Sequence, residues 1–203
     1  MARIAVYIDG FNVYHALQEV KALHKYKWLD YGALARCYIG AQDEIAQVYL
    51  FTALATWDQA KVARHQLYLR VLQKRGVRVV FGKFKRKDKI CRLCHRQYQT
   101  FEEKLTDVNI AIHLYRGAHL DEYDRAILVS ADTDIIPAIR EVRQLFPTKQ
   151  VGVVVPIGRY GMEMKQECDF HFQMKERQLA RSQLPDEIDD PILGKVRRPA
   201  TWV

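Results

Sequence analysis

Arg3-Ile4-Ala5-Val6-Tyr7-Ile8-Asp9-Gly10-Phe11-Asn12 is the stretch that decides the architecture. Residues 4–8 form a continuous apolar run rich in β-branched side chains, as expected of a strand covered on both faces. Asp9 and Gly10 end the run, and residues 11–22 carry apolar positions at helical spacing. The same alternation repeats outward. A helical stretch at 31–39 precedes a strand at 45–53. Asp58 can cap a long helix to residue 75, with Val62, Leu67, Leu69 and Leu72 for its buried stripe. Gly76 stops that helix, and a third strand follows at 77–84. A helix at 106–117 with Thr106 as N-cap, a strand at 126–130, a helix at 134–145 and a strand at 151–155 come next. A short helix and a strand-like segment at 169–174 end the pattern. Strands alternating with helices predict an α/β fold with a mostly parallel central sheet between two helical layers.

Residues 1–181 are expected as one domain, long enough to bury a core without staples. Residues 182–203 carry prolines and charges with weak periodicity and are expected as an extended C-terminal tail. A formal net charge of +8 over 203 residues favours a polyanionic partner, nucleic acid being the commonest. No apolar run approaches the roughly 20 residues of a membrane span. The start of the chain turns polar too quickly for a signal peptide, so a cytoplasmic location is the expectation. Four cysteines, at 37, 91, 94 and 168, are too sparse for a disulfide scaffold. Oligomeric state is open, with a homo-oligomer among the alternatives.

Ligands of open parallel sheets bind beyond the carboxyl ends of the strands. There the first strand delivers Asp9 and Asn12, and the fourth delivers Ser130-Ala131-Asp132-Thr133-Asp134. Asp107 opens the helix after a basic segment. Four carboxylates from three segments thus converge on one sheet edge. Like charges about 4 Å apart repel by about 1 kcal/mol in water and several times that near a protein surface, so such a cluster either takes up protons or binds a cation. Hard oxygen donors suit Mg²⁺ or Mn²⁺, which can activate water and offset charge at a phosphodiester. Taken singly, Asp107, Asp132 and Asp134 are equally readable as helix caps. Asp9 is less so, because Asn12 could meet that need; Asn12 itself divides between capping and holding a water or phosphate. No G-x-G-x-x-G follows the first strand, Gly76 and Gly82 are misspaced for a P-loop, and no G-x-S-x-G elbow occurs.

Ile8-Asp9-Gly10-Phe11-Asn12, Thr106-Asp107-Val108-Asn109 and Ser130-Ala131-Asp132-Thr133-Asp134 together resemble the NYN domain family of the PIN-like nuclease group, over roughly residues 1–174. The resemblance implies a PIN-like (Rossmann-like) three-layer sandwich and a metal-dependent endoribonuclease. Asp9, Asp107, Asp132 and Asp134 would hold Mg²⁺ or Mn²⁺, and Asn12 and Ser130 would support them. Ala131 departs from the Gly of many relatives, which should tighten the loop without removing a ligand. Glu102, Glu103 and Lys104 receive no firm role. The alternatives are a catalytically weak RNA-binding or regulatory module of the same fold, a DNA nuclease, or a phosphatase.

Residues 85–99 lack hydrophobic periodicity and read as an exposed loop or flap. In and beside it Lys83, Lys85, Arg86, Lys87, Lys89, Arg92 and Arg96 can hold the phosphate backbone of RNA. Phe84, Tyr98 and Phe101 can stack bases. The plain alternative is a solvated loop whose charges contact nothing specific. Cys91-x-x-Cys94 has the spacing of half a zinc site, but a structural zinc needs four ligands. A zinc shared across a dimer, or a dithiol closing the loop, stay open. His15, His65, His113 and His119 read as helix-surface or core residues. Arg159 and Tyr160 either line the cleft or lie on the surface.

Overall fold

A computed structural model describes residues 1–192 and 194–202; Leu193 and Val203, at two points of the expected tail, lie outside the described residues. The elements run β1 (Arg3–Asp9), α1 (Gly10–Glu19), α2 (Tyr31–Arg36), β2 (Glu44–Thr52), α3 (Gln59–Lys74), β3 (Val77–Phe81), β4 (Lys83–Ile90) and β5 (Gln97–Lys104). They continue with α4 (Thr106–His119), β6 (Arg125–Val129), α5 (Ile136–Leu145), β7 (Gln150–Val155), α6 (Met162–Glu167), β8 (Phe170–Gln173), α7 (Glu176–Arg181), β9 (Glu187–Asp190) and β10 (Gly194–Arg197). Six strands form one sheet in the order β3-β2-β1-β6-β7-β8, and every neighbouring pair is parallel.

Both faces of the sheet are covered, as the unbroken apolar run of β1 requires. The two-residue period sends Ile4, Val6 and Ile8 into one core, with Val13, Leu17, Trp28 and Leu72. Ala5 and Tyr7 enter the other, with Phe51, Ile110, Leu114 and Ile139. Helices flank the sheet in three layers, the PIN-like arrangement. The chain order reverses between β1 and β6, since β2 and β3 lie to one side and β7 and β8 to the other. That reversal opens a crevice at the carboxyl ends of β1 and β6, where open sheets bind their ligands.

Two segments differ from expectation. The flap is a β-hairpin, with β4 and β5 paired antiparallel from Lys83↔Lys104 to Ile90↔Gln97. It projects from the body instead of covering a core, so its strands need no apolar alternation and carry none to read. Its apolar residues sit at the root, where Phe84 meets Trp57 and Phe11 at ring distances of 4.8 and 5.3 Å and Phe101 stacks on Trp57 at 3.7 Å. The expected extended tail folds back onto the domain. Leu184 N donates to Trp28 O and Trp28 Nε1 to Pro185 O. β9 and β10 pair as a hairpin, Val196 is buried and Trp202 packs on Tyr68 and Trp28. A few large side chains anchor the segment without any periodic pattern. No helix among the described residues is long and apolar enough to cross a membrane.

Candidate active site

Asp9 ends β1 and is 96% withdrawn from solvent, at 4% exposure. Its Oδ1 accepts from Asn12 N at 3.0 Å, so Asp9 is itself the N-cap of α1, a place that by sequence alone Asn12 could fill. Asn12 is released for another contact: its Oδ1 accepts from Ala131 N at 3.2 Å, tying α1 to the loop after β6. Gly10 permits the tight exit, because a Cβ there would stand 2.8 Å from Phe51 O.

Ser130, fully buried at the end of β6, links the two strand ends. Its hydroxyl donates to Asp9 Oδ2 at 3.0 Å and accepts from Asp132 N at 3.0 Å. Asp132 Oδ1 in turn accepts from Asp134 N at 2.9 Å, capping the short turn Thr133–Ile135. The cap reading holds for Asp132, and Asp9, for which the sequence disfavours capping, is a cap as well; capping uses only one oxygen of each.

Asp107 arrives from a third direction, in the first turn of α4. Thr106 is not the N-cap there. Leu105 occupies that position in the left-handed region, at φ 80°, and offers no side-chain acceptor. The Glu103 carboxylate takes its place, accepting from Thr106 N at 3.3 Å and from the Thr106 hydroxyl. A left-handed leucine is strained backbone, on the order of 1–3 kcal/mol, held here by the surrounding contacts. Asn109 fastens the same turn to β3 through Phe81 O at 3.3 Å.

The electrostatics unite these pieces. Burial pushes the Asp9 carboxyl up to about 6, its bonds from Asn12 N and Ser130 oppose the shift, and the charges of Asp107 and Asp132 add to it. Asp107 is also pushed up to about 6, by burial and then by Asp132, Glu103 and Asp134. Among the described residues no lysine, arginine or histidine pairs with Asp9, Asp107, Asp132 or Asp134. An uncompensated set of carboxylate oxygens is the donor chemistry of a hard divalent cation. The described side chains do not form a closed cage: no three His, Cys, Asp or Glu stand grouped as a ready metal site. Glu103, left without a role by sequence, joins the cluster; its signal was its place three residues before Thr106, the start of α4.

The hairpin sorts the predicted cations. Alternation along β4 puts Lys83, Lys85, Lys87 and Lys89 on one face, opposite Lys104, Glu102, Thr100 and Tyr98 of β5. Phe84 and Arg86 fall on the other face, across from Glu103 and Phe101. The seven cations therefore form a lysine face, a lone Arg86 behind it, and Arg92 and Arg96 at the tip. Lys87 pairs with Glu102 and Arg86 with Asp88. Phe84 and Phe101 anchor the hairpin root rather than standing free to stack bases, while Tyr98 is half exposed. At the tip, the Cys91 thiol is held below its usual range by bonds from the backbone N–H of Cys94 and of Leu93 and from the Cys94 side chain. Cys37 and Cys168 lie on the body of the domain. His113 bonds Asn109 O and packs on Tyr49 and Phe51, and His65 is lowered to about 4 by burial. Neither is placed as an exposed base.

The chain resembles proteins of different description. It is 28% identical over 243 residues to 6-hydroxy-3-succinoylpyridine 3-monooxygenase HspA of Pseudomonas putida, covering 98% of this chain and 75% of that one. Its fold matches a crystal structure of a protein of unknown function from Vibrio parahaemolyticus, with a TM-score of 0.62 at 20% identity over 90% of this chain and 96% of the other. The NYN domain model matches residues 3–174, and the chain belongs to that nuclease-like family.

Proposed function

We propose that this protein is a metal-dependent endoribonuclease that cuts RNA phosphodiester bonds at the Asp9 crevice. The observation that carries the reading is the mutual charge effect near the chain reversal of the sheet: Asp107 and Asp132 raise Asp9, Asp132 and Asp134 raise Asp107, and no cation among the described residues pairs with any of them. Asp9, Asp107, Asp132 and Asp134 would hold Mg²⁺ or Mn²⁺, which when bound supplies charge neutralisation and an activated water. Ser130 and Asn12 position the acids: Ser130 bridges Asp9 to Asp132, and Asn12 holds the loop that carries Asp132. Lys83, Lys85, Lys87 and Lys89 would hold backbone phosphates without reading sequence. The tip thiols of Cys91 and Cys94 would supply half of a zinc site, with two further ligands required from another chain.

Purified protein is incubated with single-stranded and structured RNA in Mg²⁺ or Mn²⁺, with EDTA and Asp9→Asn as controls. Cleavage that both controls abolish supports the proposal, and cleavage that survives both sinks it. RNA binding without cleavage under either ion would select a regulatory module of the same fold; cleavage of DNA alone would select a DNA nuclease.

The name of the Pseudomonas relative favours a second reading, in which the crevice takes a small heteroaromatic substrate for oxygenation. Against it, the β1–α1 turn carries no glycine fingerprint for a dinucleotide. Turnover of a hydroxypyridine with a reduced nicotinamide and O₂, in the absence of RNA cleavage, would select it.

A further inference from the structure

The loops that follow β6 and β7 enclose a cleft of about 370 Å³, lined by Asn12, Asp132, Thr133, Gly158, Arg159 and Tyr160. This volume lies within the range of small-ligand sites. Three features of its rim have no structural explanation in the fold. Tyr160 is 97% exposed, so its ring contributes almost nothing to the core. Arg159 donates through Nη2 to Glu19 at 2.7 Å, yet its Nε is shielded from water and has no partner. Asn12 spends its carbonyl on Ala131 N, which leaves its amide N–H groups as donors at the cleft. Gly158 adopts φ 74° in the turn that presents both Arg159 and Tyr160, a conformation other residues rarely take.

The topology places this cleft opposite the hairpin. β2 and β3, from which the hairpin springs, lie on one side of β1, while the cleft sits over the ends of β6 and β7 on the other. Asp132 lines the cleft and its charge also bears on Asp9, so a nucleotide in the cleft would adjoin a phosphate held at Asp9. We infer that the cleft is a subsite for one unpaired nucleotide, its base stacking on Tyr160 and its phosphate taking the guanidinium of Arg159. The subsite rests on the nuclease reading for its place along the substrate. Stacking on an exposed ring needs a base outside a duplex, so the subsite selects single strands.

Binding is measured by fluorescence anisotropy in EDTA, with a labelled short single-stranded RNA and its duplex, so that cleavage plays no part. Tyr160→Ala should weaken single-strand binding about tenfold while leaving duplex binding unchanged, and Tyr160→Phe should bind as the parent does. Arg159→Ala should also weaken binding, and Glu19→Gln, which frees the guanidinium, should tighten it about twofold. Parental affinity in Tyr160→Ala, equal losses in Tyr160→Ala and Tyr160→Phe, or no RNA binding at all overturns the inference. Failure of the catalytic reading shows elsewhere, as cleavage that persists in Asp9→Asn, and leaves this binding comparison intact.

Discussion

The two ends of the parallel sheet treat carboxylates in opposite ways. At the amino ends, acids lie among cations. Asp124 takes Arg3 N and Arg3 Nη2, each at 2.7 Å, and is lowered to about 2 chiefly by those Arg3 bonds. Asp121 is lowered by Lys149 and Arg3, and Asp43 by Ala2 N with help from Arg125. At the carboxyl ends, Asp9 and Asp107 lie among other acids and are raised to about 6. Helix capping does not explain the difference. Asp30 caps α2 as Asp9 caps α1, with nearly the same backbone angles and a 3.0 Å bond to the third residue on, and it is equally buried. Yet Asp30 has Arg75 at 3.0 Å, and no cation among the described residues pairs with Asp9. One end of the sheet pairs its acids with cations, and the other gathers acids whose charges oppose one another.

The largest test of this contrast is the metal itself. At a concentration one hundred times the dissociation constant, Mn²⁺ or Mg²⁺ should stabilise the protein by about 2.7 kcal/mol. The gain should be read as a rise in Tm, should be lost in Asp9→Asn, and should shrink at pH 5 where protons compete for the acids. A metal-independent Tm would break the comparison.

Without metal, Asp9→Asn should stabilise the protein at pH 7 by about 1–3 kcal/mol, an upper range because the amide makes weaker hydrogen bonds than a carboxylate. The sign follows from the raised value. Protonated Asp9 favours the fold below about pH 4, and that contribution is lost as pH rises through about 6. The advantage of Asp9→Asn should therefore vanish near pH 4, as denaturant titrations at the two pH values will show.

Asp124→Asn should have the opposite sign, costing up to about 1 kcal/mol at pH 7, a figure discounted because both partners are partly exposed. Its contribution is present above about pH 4 and is lost as pH falls toward 2. Smaller still, each of Lys85→Ala and Lys89→Ala should lower the salt slope of RNA binding by about 1, uniformly across sequences. An unchanged slope would remove the lysine face from the interface.

The strand–helix alternation and the sheet-end acids were legible because both follow from local pattern: buried strands are apolar runs, and charge at their ends has few other uses. The hairpin was not. Lys83–Ile90 alternates lysine with Phe84, Arg86, Asp88 and Ile90, too mixed a face to show an apolar stripe, and its root packs on Trp57, distant in sequence, which receives Phe84 and Phe101. Trp202, likewise, gives no sign of reaching Trp28 across the whole chain. Glu103 was visible as an acid beside the Thr106-Asp107 pair, but only the left-handed turn at Leu105 makes it the cap and brings its charge to bear on Asp107.

The sequence by itself determined the parallel α/β sheet, the presence of acids at the ends of its first and fourth strands and the concentration of positive charge on one segment, because hydrophobic period and residue type are local properties. The tertiary structure alone decided that Asp9 caps its own helix, that Ser130 joins Asp9 to Asp132, and that four lysines share one face. Those depend on strand order, register and pairing, which are relations between segments apart in the chain.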